Sequence, residues 1–228
     1  MSQSFSLLDS LSVSDLQTYL SRAARVEEGS VRLIGGSGVL AVYSAILYPR
    51  GLLDQTPTVL GLRTFAIQPE VAFDAVVPIR SLLDRLARIS DALPVGDGVD
   101  GPVEVRMPLE VSTVTWAGIS PPRGGWRPVG DASADLLQQT AKDGIAEVAE
   151  AVPTGTGEQL VQRVRAEVWG KPVEGLEYIP AGAAFAAESL GFLGEGEPVS
   201  ILETGPWTRL TTKRGHVLVR RQAWTLRA

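Results

Sequence analysis

One short segment has the residue types for nucleophilic catalysis. Gly35-Gly36-Ser37-Gly38 follows the apolar run Val31–Ile34. It approaches the G-x-S-x-G turn that exposes a catalytic serine, except that Val39 stands in the fifth place. Such a turn needs earlier strands to supply oxyanion donors, and only one helix is foreseen before Ser37. Glycines that let a strand bend or pack closely explain the segment better. Gly96-Asp97-Gly98-Val99-Asp100-Gly101 spells G-x-G-x-x-G, but a phosphate cradle of that kind needs a strand before it and a helix after it. Here a helix precedes and a strand follows, and the two aspartates repel phosphate. Thr154-Gly155-Thr156-Gly157 lacks the lysine of a phosphate loop.

Metal chemistry is restricted as well. The 228 residues include no Cys and one His, His216, which excludes thiolate catalysis, Cys-ligated zinc and iron–sulfur clusters. Asp97, Asp100 and Glu104 cluster, yet a calcium loop needs about six oxygen ligands on a regular spacing. A carboxylate such as Asp74 or Glu104 beside an arginine is what remains for an enzyme. No set of residues meets the geometry of catalysis, so the expectation is a non-enzymatic protein without cofactor or metal.

Charge is the sharpest signal. The formal net charge is −5, but no acid follows Glu203, and the last twenty residues carry +6. Arg209, Lys213, Arg214, Arg220 and Arg221, with Trp224, are therefore the expected contacts for nucleic acid or a protein partner. Trp126, Arg123 and Arg127 form a second candidate interaction cluster. With 18 Arg against 3 Lys, the preference for arginine is read as coding bias rather than chemistry.

The elements that must position these residues follow from periodicity. Ser14 with Gln17 has the pattern of a capping box, and Leu16, Tyr19, Leu20 and Ala23 trace one helix face. Val31–Pro49 and Thr56–Gln68 read as strands, and Val71–Val77 as a strand running into Pro78. Ile79, Leu82, Leu83, Leu86 and Ile89 make a helical stripe, and Val103–Val114 alternates as a half-buried strand does. Three prolines and three glycines in Ile119–Asp131 exclude a helix or a central strand there. Beyond it, Ser133 or Asp131 caps a helix with Leu137, Ala141, Ile145 and Val148 inward. Thr156 and Gln159 open a second helix, with Leu160, Val161, Val164 and Val168 on one face. A third, Ala181–Leu190, precedes strands at Pro198–Leu202, Trp207–Thr212 and His216–Arg221. Arg214-Gly215 is placed in a hairpin turn with glycine in the left-handed position.

The fold class expected is α+β. Residues 1–118 form a helix-flanked antiparallel or mixed sheet, residues 119–131 a Pro/Gly/Trp connector, and residues 132–228 a mainly helical domain ending in a β-hairpin. The helix–helix–helix–strand–strand order resembles a winged-helix domain, which implies a wing that touches DNA phosphates. The helix in the recognition position, Ala181–Leu190, lacks the Arg, Lys, Asn and Gln that read base edges. Glu197–Leu210 also resembles the middle of bacterial SH3-type domains. The reading is a cytoplasmic interaction or regulatory protein with a protein partner, or else a weak, largely sequence-independent nucleic-acid binder acting through the basic hairpin. No membrane partner is expected, since no basic, apolar leader opens the chain and Leu33–Pro49 is short and glycine-rich for a span.

Overall fold

The computed structural model describes residues 3–51, 54–92, 100–112, 114–118, 120–152, 155 and 157–220. Arg221 and Trp224, as well as the first part of the Gly96–Gly101 loop, lie outside the described residues. Two compact units are present: residues 1–45 with 62–120, and residues 46–61 with 121–228.

The first unit begins with β1 (Ser4–Asp9) and α1 (Ser10–Val26), followed by β2 (Ser30–Gly36) and β3 (Val39–Leu47). β4 (Thr58–Ala66), β5 (Phe73–Pro78), α2 (Ile79–Ala92) and β6 (Asp100–Arg106) complete it. β3 and β4 each pass between the units along their length. The strand order is β5-β2-β3-β4, with β1 and β6 paired separately. Helix α1 starts four residues before the expected box: Asp9 caps it, accepting from the Ser12 N–H at 2.7 Å. Leu16, Tyr19, Leu20 and Ala23 are buried as foreseen. The buried Tyr19 hydroxyl finds Ser44 Oγ at 2.8 Å, and burial pushes its pKa up.

Ser37 is not on a nucleophile turn. Ser37 (φ 53°) and Gly38 (φ 78°) form the two-residue loop between β2 and β3, and positive φ at both central positions is the type I′ hairpin geometry. Gly35 answers to packing instead: a Cβ there would stand 2.4 Å from the Phe73 ring.

The second unit holds β7 (Arg127–Ser133), α3 (Ala134–Ala151), α4 (Glu158–Gly170), β8 (Pro172–Val173) and β9 (Leu176–Pro180). α5 (Ala181–Ser189), β10 (Pro198–Thr204), β11 (Trp207–Thr211) and β12 (His216–Arg220) follow. The order β4-β12-β11-β10-β7 ends on β7, with β8 and β9 paired apart. β7 tolerates Pro128 because it is an edge strand, and the register slips between Ile201 and Leu202 opposite it.

This topology corrects the expected helical, winged-helix-like second domain. The helices lie over an antiparallel sheet whose strands come from both ends of the unit, because β7 pairs with β10 across the helical segment. The supposed recognition helix cannot enter a groove: Ala181, Gly182, Ala183, Ala184, Ala186 and Ala187 of α5 are all buried.

Both units follow one pairing rule that the sequence does not display as a repeat. Each has two segments in which a pair of strands flanks one helix, or in the case of β7 and β8 the two helices α3 and α4, and the strand that opens each segment pairs with the strand that closes the other. In the first unit β1 pairs with β6 and β5 with β2; in the second, β7 pairs with β10 and β9 with β8.

Candidate protein-interaction groove

The second unit carries a groove along α4. One part, about 600 Å³, is lined by Arg50, Asp54, Gln55, Gln159, Gln162 and Ala166, among others. An adjoining part of about 450 Å³ shares Gln55 and Ala166 and continues past Pro57, Pro172, Tyr178 and Arg220.

Trp169 fixes the helix that makes the wall. Its ring stacks on Phe185 of α5, with centroids 4.3 Å apart and planes 19° apart. On α3, a Cβ on Gly144 would fall 2.3 Å from that ring, so only glycine allows this approach. Anchored there, α4 buries only Val168 and Trp169. Of the apolar face foreseen for α4, Val161 and Val164 are half-buried and Leu160 is 50% exposed, while the groove is lined by the other side of the helix, through Gln159, Gln162 and Ala166. On α3, Leu137 and Ala141 are buried, but Gly144 takes the next inward place, leaving Ile145 exposed.

The opposite wall is a hydrogen-bonded turn. Asp54 accepts from the Arg50 N–H at 2.8 Å, the Thr56 N–H at 2.9 Å and the Thr56 hydroxyl at 2.6 Å. Partial burial opposes the charged form, but these donors together hold the Asp54 carboxyl below its usual range. The Arg50 guanidinium lies 5.5 Å from the Tyr48 ring centroid and 3.8 Å from Glu158. Tyr178 stands on β9 at 40% exposure, its pKa raised by burial and by Glu203. An ionised aspartate and a protonated tyrosine at neutral pH do not make a poised acid–base pair. Among the described residues no group of three Asp, Glu or His could hold a metal. The groove has a small apolar floor and a charged rim, the composition of a surface that binds another chain.

The predicted site residues are dispersed. Arg209 lies on β11 with its guanidinium 4.5 Å from the Trp126 ring centroid, and the Trp126 indole N–H donates to the Pro122 carbonyl at 3.1 Å. Arg123 and Arg127 are exposed beside it, Arg127 opposite Glu203 in the β7–β10 register. In the β11–β12 turn, Arg214 reaches Glu197 at 3.0 Å and Lys213 lies 3.8 Å from the same carboxylate. Gly215 is not left-handed; its lack of a side chain admits the Phe192 ring, which a Cβ would meet at 2.5 Å. Arg220 lies at the other end of the hairpin, opposite Trp207, and lines the groove. Sequence reasoning singled out none of the other groove residues. The α4 residues that line it are polar or charged apart from Ala166 and Gly170, so no apolar periodicity marked them.

Helix charge bears on nucleic acid. α3 carries Asp135, Asp143, Glu147 and Glu150 against Lys142, and α5 adds Glu188. α4 is balanced, with Glu158 and Glu167 against Arg163 and Arg165. The helices of this unit therefore do not offer phosphates a basic surface. Asp74, the carboxylate considered for an enzyme, is held by Arg32 through 2.7 Å and 2.6 Å bonds. Arg32 also donates to the Ala117 carbonyl and to Ser120 Oγ, which ties the 3-10 turn Thr115–Gly118 to β2. No helix among the described residues is long and apolar enough to cross a membrane.

Residues 1–105 match a domain of unknown function, DUF8010, and residues 121–224 match another, DUF8185. No curated protein matches the chain. Among solved structures, the DNA polymerase sliding clamp of Bacillus subtilis matches all of this chain and 67% of its own, at 11% identity and a TM-score of 0.51. The pol III beta of Caulobacter crescentus matches 96% of this chain and 65% of its own, at 13% identity and a TM-score of 0.51. A second Caulobacter crescentus structure, titled DNA polymerase sliding clamp, covers 99% of this chain and 67% of its own, at 14% identity and a TM-score of 0.50. The chain thus spans about two thirds of the length of these clamps. This likeness overturns the winged-helix reading as well: the chain has the fold of the DNA polymerase sliding clamps.

Proposed function

We propose that this chain is a non-enzymatic interaction protein that works beside the DNA replication machinery and holds protein partners in the groove along α4. The observation that carries the reading is the clamp-type fold over the whole chain, together with a wall helix that leaves most of its surface open. Protein rather than DNA is favoured as the direct ligand, because the helices of the second unit are acidic or neutral overall. The test uses tagged full-length protein and Ala166→Arg, which places a long charged side chain on the groove floor. DNA polymerase and associated replication proteins should co-purify with the wild type and be lost with the variant. Their absence from the wild type, or an unchanged set with Ala166→Arg, overturns the reading.

A second reading rests on the exposed Arg123, Arg127, Lys213 and Arg220. These make a weak, sequence-independent contact with DNA phosphates, with Arg221 added from outside the described residues. Its mark is an affinity that falls steeply with salt.

A further inference from the structure

We propose that the segment entering β7, Arg123-Gly124-Gly125-Trp126-Arg127, is a binding site for single-stranded nucleic acid. A base stacks on Trp126, and Arg123 and Arg127 hold the flanking phosphates. The site is separate from the groove along α4 and shares only these two arginines with the phosphate-contact reading.

The indole is fixed before any ligand arrives. Its N–H donates to the Pro122 carbonyl at 3.1 Å, and the Arg209 guanidinium of β11 lies 4.5 Å from the ring centroid. Gly125, at φ 78°, turns the chain into β7, and a Cβ there would stand 3.3 Å from Thr204 Oγ1. Directly after the ring, Arg127 joins the ladder opposite Glu203. A ring held in this way gives up little freedom when a base stacks on it.

Access is kept as well. Trp126 is half-buried, whereas Arg123, Gly124, Gly125 and Arg127 are all exposed. A Cβ on Gly124 would meet nothing within 4 Å, and the two glycines put no side chain over the indole.

Charge selects a polyanion. Arg123, Arg127 and Arg209 against Glu203 leave the site cationic in a chain of net charge −5. An aromatic ring among cations suits single strands, because every base has a π-face and every step a phosphate. A duplex keeps its bases stacked on one another and offers this site phosphates alone. A tryptophan that anchors a protein partner sits in a well-packed pocket ringed by contacts that exclude water; Trp126 stands among exposed arginines and glycines.

Fluorescence anisotropy of full-length protein with two labelled strands of equal length tests the proposal: oligothymidylate, and an abasic strand with the same phosphates. At low salt oligothymidylate should bind about tenfold tighter than the abasic strand, and Trp126→Ala should erase that difference, with thermal unfolding showing that the variant is folded. Gly124→Glu is the second variant, at a position with room for a side chain; its anion beside the indole should weaken oligothymidylate binding about as much. Equal affinity for the two strands overturns the proposal and leaves phosphate contact alone. Absence of binding to either strand overturns it, as does a thymidylate preference that survives both variants. The groove reading is judged separately, by the partners that Ala166→Arg does or does not release.

Discussion

Replacing Gly144 by alanine should destabilise the protein, although glycine-to-alanine inside a helix ordinarily stabilises. Position 144 lies within α3, where alanine is favoured over glycine by about 1 kcal/mol. The structure reverses the sign. The new Cβ would lie 2.3 Å and 2.7 Å from two ring carbons of Trp169, against an ordinary carbon–carbon contact of about 3.5–4.0 Å. The ring is buried and stacked on Phe185 at 4.3 Å, so it cannot yield without disturbing α5. Overpacking of this kind costs about 1–3 kcal/mol. Set against the propensity gain, the balance is a net loss of about 1 kcal/mol. For a unit of 124 residues that lowers Tm by about 4 °C. Gly170→Ala is the control, since a Cβ there meets nothing within 4 Å. Differential scanning calorimetry of both variants, with near-ultraviolet circular dichroism to follow the tryptophan environment, decides the matter. A Tm for Gly144→Ala equal to or above that of Gly170→Ala would refute the claim that Trp169 sets the position of α4.

Arg32→Ala should lower stability by about 1–2 kcal/mol, discounted for the half-exposed Asp74 partner, and loosen the Thr115–Gly118 turn, read by urea unfolding and by hydrogen exchange at Trp116. Burial and the nearby Arg209 depress the His216 pKa to about 4, so the unfolded chain binds the extra proton between about pH 6.5 and 4. Stability should accordingly be full above pH 6.5 and fall as pH drops to 4, by up to about 2 kcal/mol after allowing for the ring's partial exposure; His216→Asn should flatten that slope in urea titrations. Arg209 and Trp126 should show a coupling of about 1 kcal/mol in a double-mutant cycle on unfolding. Fluorescence anisotropy of labelled duplex DNA over a salt series should show weak, salt-steep binding that Arg220→Glu/Arg221→Glu abolishes if the second reading holds; absence of binding at the lowest salt removes it.

Local elements were legible where a side-chain pattern decides them. Leu16, Tyr19, Leu20 and Ala23 placed α1, the Ile79–Leu86 stripe placed α2, and Ser133 does cap α3, accepting from Asp135 at 3.2 Å. Their assembly was not legible, because the pairing of β7 with β10 joins residues some seventy positions apart with no periodic signal between them. The winged-helix resemblance failed for that reason: it took the order of elements as their arrangement. Gly144 and Gly215 were opaque for a related cause, since the aromatic rings that demand glycine, Trp169 and Phe192, come from distant segments. The groove was missed because the α4 residues that line it, among them Gln159, Gln162 and Ala166, are mostly polar and read as a solvated helix face. The basic end of the chain was visible, but its internal anchors, Trp126 for Arg209 and Glu197 for Arg214, emerge only with the fold.

The most direct test of the central claim is photo-cross-linking in cells from a reactive side chain at Gln162 on the α4 wall, compared with the same side chain at the exposed Lys142 of α3. Adducts with DNA polymerase or associated replication proteins that form at Gln162, not at Lys142, and disappear with Ala166→Arg are the predicted result. Equal adducts at both positions, or none at Gln162, would contradict a partner-binding role for the groove.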